Sequence, residues 1–138
     1  MFKMIHHVAI IASNYEQSKH FYVDSIHHIA IIGSDYEKSK HFYVDLLGFK
    51  VIRENYRKER DSYKLDLKIG ESEIELFSFP NSPKRPSYPE ACGLRHLCFK
   101  VEDIELAVKE LNEKGIQTEP IRIDEYTNKK YVFFSDPD

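Results

Sequence analysis

No stretch of this chain stays apolar for long. Its longest such runs, Val8–Ala12 and Ile29–Ile32, fall far short of the roughly 20 residues a bilayer-spanning helix needs, which argues against a membrane protein. There is no block of one charge either. The 20 Lys and Arg are interspersed with 23 Asp and Glu, for a net charge of −3, which leaves neither a nucleic-acid patch nor an acidic solvating tail. Tyr56-Arg57-Lys58-Glu59-Arg60 does interleave bases with an aromatic, but its acid spoils the patch. Only two cysteines occur, Cys92 and Cys98, in neither a C-x-x-C nor a disulfide framework. They read as reduced thiols of a cytoplasmic protein, with Cys98 alternating into a strand as a small core residue. The opening MFKMIHH lacks the apolar stretch and cleavage site of a secretory leader. G-x-G-x-x-G, P-loop, G-x-S-x-G and H-E-x-x-H patterns are all missing, which counts against nucleotide binding, hydrolase elbows and zincins. The 138 residues, 41% of them hydrophobic, suffice for one domain with a real core.

What the chain does have is a tandem repeat. Met4–Asp24 (copy one) and Ser25–Asp45 (copy two) are identical at 16 of 21 positions. Each begins with a His-His pair, runs through an apolar strand and enters an amphipathic helix. In copy two, His28–Ile32 is the strand and Ser34-x-x-Glu37 reads as a capping box. Tyr36, Phe42, Tyr43 and Leu47 recur near the helical period, and Gly48 supplies a left-handed stop. Copy one repeats the signals with Ser13, Glu16, Tyr15 and Tyr22, but Asp24 runs into Ser25 without a Leu-Leu-Gly exit. Lys19, His20, Lys40 and His41 are expected on solvated helix faces.

Beyond Gly48, strands are expected at Phe49–Asn55, Tyr63–Ile69 and Glu73–Phe79, with a turn at Gly70-Glu71. Pro80, Pro83, Pro86 and Pro89 mark a linker that cannot enter a ladder. Leu94–Val101 resumes as a strand, and Asp103–Lys114 is a helix with Ile104, Ala107, Val108 and Leu111 on one face, stopped by Gly115. Ile116–Ile123 and Lys130–Ser135 read as two more strands. The division is residues 1–24, a duplicated strand-helix segment; 25–79, a first βαβββ module; 80–92, a proline-rich linker; and 93–138, a second, incomplete βαββ module. The fold class is α+β, with strand faces that alternate between core and cavity or solvent.

Histidine and carboxylate on separate strands are the raw material of a divalent-metal site, with donor distances of about 2.0–2.2 Å. Outside the repeat the one histidine is His96, in Leu94–Phe99, and the most suggestive acid is Glu75, in Ile74–Phe77. Neighbours in a strand point to opposite faces, so at most one of His6/His7 and one of His27/His28 is expected to face a given cavity. Taken alone, each of these is as readily a surface or packed group as a ligand. Arg53, Tyr63 and Phe77 share the strand parity of a cavity wall, and Glu90 and Arg95 are placed to pair across the linker.

Several segments in order carry a family likeness. They are His27-His28-Ile29-Ala30-Ile31, Ser39…Phe42-Tyr43…Leu47-Gly48-Phe49, Ile74-Glu75-Leu76-Phe77, Arg85-Pro86-Ser87…Pro89–Leu97, Val101–Ile104 and Phe133–Asp138. Through them residues 25–138 resemble the vicinal-oxygen-chelate superfamily, specifically bacterial glyoxalase I-like (lactoylglutathione lyase-like) proteins. The resemblance implies paired βαβββ modules, the glyoxalase/bleomycin resistance/dioxygenase fold, curled around a divalent ion such as zinc or nickel. By motif, His28, Glu75 and His96 match ligands, with His7 the alternative first ligand. It also implies hemithioacetal isomerisation by way of a metal-bound enediolate, on a small substrate such as a glutathione or other thiol adduct, in a cytoplasmic homodimer.

Two departures qualify those expectations. Relatives continue into a last strand whose Glu is a ligand and moves the proton, whereas this sequence stops at Asp138; the catalytic group is therefore unassigned and activity is expected to be impaired. The repeat also offers two strands for one slot. Copy two is expected there because Gly48 ends its helix, and Ile5–Ala12 is expected to substitute for the last strand, in cis or by a swap within the dimer. The alternatives are a non-catalytic small-molecule binding protein of the same fold, or an engineered segment duplication without activity.

Overall fold

The structure is a computed structural model that describes residues 1–18 and 26–138. Lys19, His20 and Tyr22 of copy one and the Asp24–Ser25 junction lie outside the described residues. In chain order there follow β1 (Met4–Ile11), helix α1 (Tyr15–Ser18), β2 (His28–Ile32) and α2 (Tyr36–Lys40), which runs on into a π-helical turn at His41–Leu46. Then come β3 (Lys50–Arg57), a 3-10 turn at Lys58–Arg60, β4 (Ser62–Ile69), β5 (Ser72–Phe77), β6 (Gly93–Lys100), α3 (Ile104–Glu113), β7 (Arg122–Ile123) and β8 (Lys130–Tyr131). Among the described residues no helix is long and apolar enough to cross a membrane.

Copy two builds the first unit. Its sheet runs β2-β5-β4-β3, with β2 parallel to β5 and the other pairs antiparallel. The helical segment lays Tyr36, Phe42, Tyr43 and Leu47 on one face of that sheet, against Leu65, Leu67 and Ile69 of β4 and Ile74 and Leu76 of β5. Each such buried aliphatic side chain stabilises the fold by about 1.5–3 kcal/mol. The helix ends as its glycine requires. Gly48 has φ +77°, and Phe49 N–H reaches back to Tyr43 O at 3.0 Å while Gly48 N–H reaches Val44 O at 3.1 Å.

The start of that helix differs from the sequence expectation. Asp35, not Ser34, is the cap, its side chain accepting from Lys38 N–H at 3.1 Å. A carboxylate meets the partial positive charge of the helix start more strongly than a hydroxyl does. In copy one the equivalent Asn14 likewise accepts from Gln17 N–H at 3.1 Å. Ser34 N–H instead donates to Asp138 Oδ2 at 3.0 Å, and the Tyr43 hydroxyl donates to Asp136 at 2.9 Å, so the chain end packs beside α2.

One difference between the copies explains why copy two takes this place. A β-carbon built on Gly33 would run into Ser39 Oγ and lie 3.1 Å from Ser39 Cβ. Copy one has Ala12 and Ser18 at the matching positions, where the same approach would crowd the alanine methyl against the serine.

Copy one's strand goes elsewhere. β1 pairs with β6, antiparallel, and β7 pairs with β8 in a hairpin of its own. As expected, this spare strand adds in cis to the second unit, on β6, although antiparallel to it. In the first unit the last strand, β5, runs parallel to β2, whereas β1 runs antiparallel to β6. The expected strands 116–123 and 130–135 shrink to two residues each plus a bridge between Thr118 and Phe134. Pro120 lies inside the first of them and has no N–H for a ladder. Helix α3 is capped by Asp103 and buries Ala107 and Leu111. Ile5 of β1, Leu111 and Ile116 join the same core as the first unit.

Candidate functional site

The two His-His pairs meet two different ladders. In copy two, His28 stands opposite Glu73, and Glu75 is its diagonal neighbour two residues along β5. His28 Nε2 lies 3.9 Å from Glu75 Oε2. The other oxygen of Glu75 accepts from Lys64 Nζ at 2.6 Å, and Lys64 also pairs with Asp66 at 3.1 Å. Asp66 accepts in turn from Arg53 Nε at 2.9 Å and Nη2 at 2.5 Å. Although the Asp66 side chain is only 1% exposed, it stays ionised. Burial pushes its carboxyl up, but the Arg53 and Lys64 cations outweigh that and hold it below the usual carboxylate range. The same contacts raise Lys64, chiefly through its bond to Glu75. Arg53 is therefore tied to a carboxylate rather than free in a cavity wall, and Tyr63 stacks on Tyr36 at 4.2 Å between ring centroids. Phe77 lies under the Arg57 guanidinium at 4.9 Å.

In copy one, His7 stands opposite Cys98, and His96 is the diagonal neighbour on the same face of the ladder. His7 Nε2 lies 3.1 Å from His96 Nε2. The register slips between Ile5, which faces Phe99, and His7, which faces Cys98, so His6 is an extra residue in a β-bulge. A second slip, between Ala9 and Ile10, leaves Arg95 as the extra residue on β6 and restores the count. The bulge overturns the expectation that neighbouring histidines point to opposite faces: His6 Nδ1 and His7 Nδ1 are 2.8 Å apart. His27 Nδ1 and His28 Nδ1 are likewise 3.0 Å apart, because His27 precedes the first residue of β2 and is not bound by strand alternation. Burial, with the His7 and Arg95 charges beside it, lowers the His96 pKa; burial raises that of the Cys98 thiol.

Donors on strand pairs suit a divalent ion, and His28 with Glu75 fits such an ion after a small closing movement. His96 does not stand with them. Among the described residues the one group of three or more His, Cys, Asp or Glu with ligand atoms within 4.8 Å of one another is His6, His7 and Cys98. Sequence reasoning passed over His6 and Cys98 as donors, although the spacing His96-Leu97-Cys98 already places sulfur and imidazole on one strand face. Glu90 does pair with Arg95, at 3.6 Å. A cavity of about 320 Å³ opens beside Met1, Phe2, Leu47–Lys50 and Lys68–Gly70, and no histidine lines it.

A βαβββ sheet followed by a second βα unit, with histidines at the strands that open each, is the glyoxalase/bleomycin-resistance fold. Residues 25–138 match the model of the Glyoxalase/Bleomycin resistance protein/Dioxygenase superfamily, and the match begins at the first residue of copy two. The chain belongs to that superfamily. It is 65% identical over 139 residues to the uncharacterized protein YwkD of Bacillus subtilis, covering 100% of this chain and 92% of the relative. The crystal structure of a glyoxalase family protein from Enterococcus faecalis is similar at 57% identity and a TM-score of 0.78, over 83% of this chain and 91% of that one. At the level of the fold alone, a fosfomycin resistance protein of Listeria monocytogenes, FosX, is similar at 18% identity and a TM-score of 0.59, over 83% of this chain and 86% of that one; it was solved with Mn(II) and a phosphonic acid.

Proposed function

We propose that the chain is a metal-dependent, glyoxalase I-like lyase scaffold for a small oxygenated substrate such as a glutathione or other thiol hemithioacetal. The observation that carries this reading is the His28–Glu75 pair, an imidazole nitrogen and a carboxylate oxygen 3.9 Å apart on neighbouring strands of a superfamily member. His28 and Glu75 would hold a divalent ion such as zinc, nickel or manganese; His96, which stands beside His7, would join them as third donor only through a rearrangement of β6, and His7 is the alternative to His28. Bound there, the ion supplies Lewis-acid polarisation of a substrate carbonyl. Lys64, bonded to Glu75 Oε1, leaves Oε2 turned toward His28. The reading assigns no proton-transferring base. It keeps the modules at 25–79 and 93–138 with the linker 80–92 between them, and residues 1–24 as the duplicated segment. It also keeps a cytoplasmic homodimer, for which the exposed Ile10 and Ile32 offer apolar surface.

A specific observation favours a second reading, small-molecule binding without chemistry. The Lys64 ammonium, 2.6 Å from Glu75, already supplies the positive charge a metal would bring. An antibiotic-binding protein from Streptomyces, TnmS3, has the same fold. Metal analysis of the purified protein, with turnover of the methylglyoxal–glutathione adduct before and after chelation, tests the lyase reading. It predicts an ion at this pair that Glu75→Ala removes from each chain, and turnover that the chelator abolishes. Ligand affinity indifferent to chelator, with no turnover, replaces it by the binding reading.

A further inference from the structure

Copy one brings together a donor set that copy two lacks. We infer that His6, His7 and Cys98 form a second metal site, selective for a borderline-to-soft divalent ion of the zinc type. One ring nitrogen from each histidine and the Cys98 Sγ already lie within 4.8 Å of one another. Bonds of about 2.0–2.1 Å to imidazole and 2.3 Å to thiolate place donors some 3.3–3.7 Å apart around a tetrahedral ion, so only a small contraction is required.

The backbone explains why the three converge. An antiparallel ladder puts His7 and Cys98 directly opposite, on one face. An ordinary strand would send His6 to the other face, but the bulge at His6 carries its ring to within 2.8 Å of His7. His7 Nδ1 faces His6, while its Nε2 meets His96 Nε2 at 3.1 Å. His96 therefore fixes which nitrogen of His7 is offered to an ion, the role that partners of metal-bound histidines commonly play. Partial exposure of His6 and His7 gives an ion an entry path.

The donor chemistry separates this site from the His28–Glu75 pair. Opposite and diagonal to His7 stand Cys98 and His96; opposite and diagonal to His28 stand Glu73 and Glu75. Sulfur and imidazole suit zinc and exclude magnesium and calcium, whereas the oxygen-rich ladder is less discriminating. Binding releases the Cys98 proton to solvent, so affinity rises with pH as the thiolate becomes available.

Titration of the full chain with cobalt(II) alone reads the sulfur ligand directly, through thiolate-to-cobalt charge-transfer absorption. We expect that band in the wild type, its displacement by zinc and its loss in Cys98→Ser. His6→Ala, which touches an exposed side chain, should weaken cobalt binding by at least about tenfold. Cys92→Ser and Glu75→Ala should leave the band in place. Absence of a thiolate band in the wild type overturns the inference, as does a band that survives Cys98→Ser or disappears with Cys92→Ser or Glu75→Ala. Failure of the lyase reading leaves this result untouched, since no step of the titration depends on turnover.

Discussion

Copies one and two share 16 of 21 residues, yet the structure gives them different work. Copy two lies in a four-stranded sheet beside β5 and packs its helical segment on the main core; copy one lies in a two-stranded ladder with β6. Five substitutions and the sequence that follows each copy separate them. Gly33 leaves room for Ser39 where an alanine methyl would crowd it, Asp35 brings a negative charge to its helix start where Asn14 brings none, and only copy two runs into Leu46-Leu47-Gly48. The lesson is that a local sequence proposes an element, while close packing and the neighbouring strand decide its place.

The predictions that test this contrast run from large to small. Asp66→Ala removes a buried carboxylate hydrogen-bonded to Arg53 and ion-paired with Lys64 beside copy two; loss of these charged contacts should cost about 1.5–3 kcal/mol, read from the urea midpoint. Its pH signature has a definite sign. Asp66 has a folded-state pKa below its ordinary 3.8, so its contribution is present above that value and is lost as pH falls through the lower, folded one. Acid titration of stability should therefore flatten in the variant below about pH 4.

Gly33→Ala forces a methyl into Ser39 and should destabilise by about 1–3 kcal/mol, whereas Ala12→Gly in copy one should change stability by only a few tenths. Equal effects in calorimetry would erase the packing distinction between the copies. Asp35→Ala should cost about 1 kcal/mol through its lost cap, and Asn14→Ala less, because a neutral amide meets the positive helix start more weakly than a carboxylate. Thermal melts of the pair would sharpen the comparison or, if the order reversed, break it.

Much of this was legible in the sequence where the cause is local. His28–Ile32 as a strand, the exit at Gly48 and the burial of Tyr36, Phe42, Tyr43 and Leu47 follow from alternation, period and a glycine φ. The superfamily was legible too, from motifs in order over residues 25–138. The π-helical turn at His41–Leu46 and the cap at Asp35 escaped, since neighbouring Ser34 and Asp35 are both good caps and only packing chooses between them. The bulge at His6 escaped for a deeper reason: it is a property of two strands, and nothing in His6-His7 names Phe99 and Cys98 as their partners. For the same reason the candidate donors could be named singly, but His7 and His96 could not be foreseen at 3.1 Å while His28 kept company with Glu75.

The central claim is that β6 takes its partner strand from copy one, and disulfide trapping reads that choice directly. In a Cys92→Ser background, His7→Cys places a thiol opposite Cys98, and His28→Cys places one on the strand beside β5. Under mild oxidation, mass spectrometry should find the position-7 thiol joined to Cys98 and the position-28 thiol free. A bond from position 28 to Cys98, with position 7 left reduced, would contradict the account.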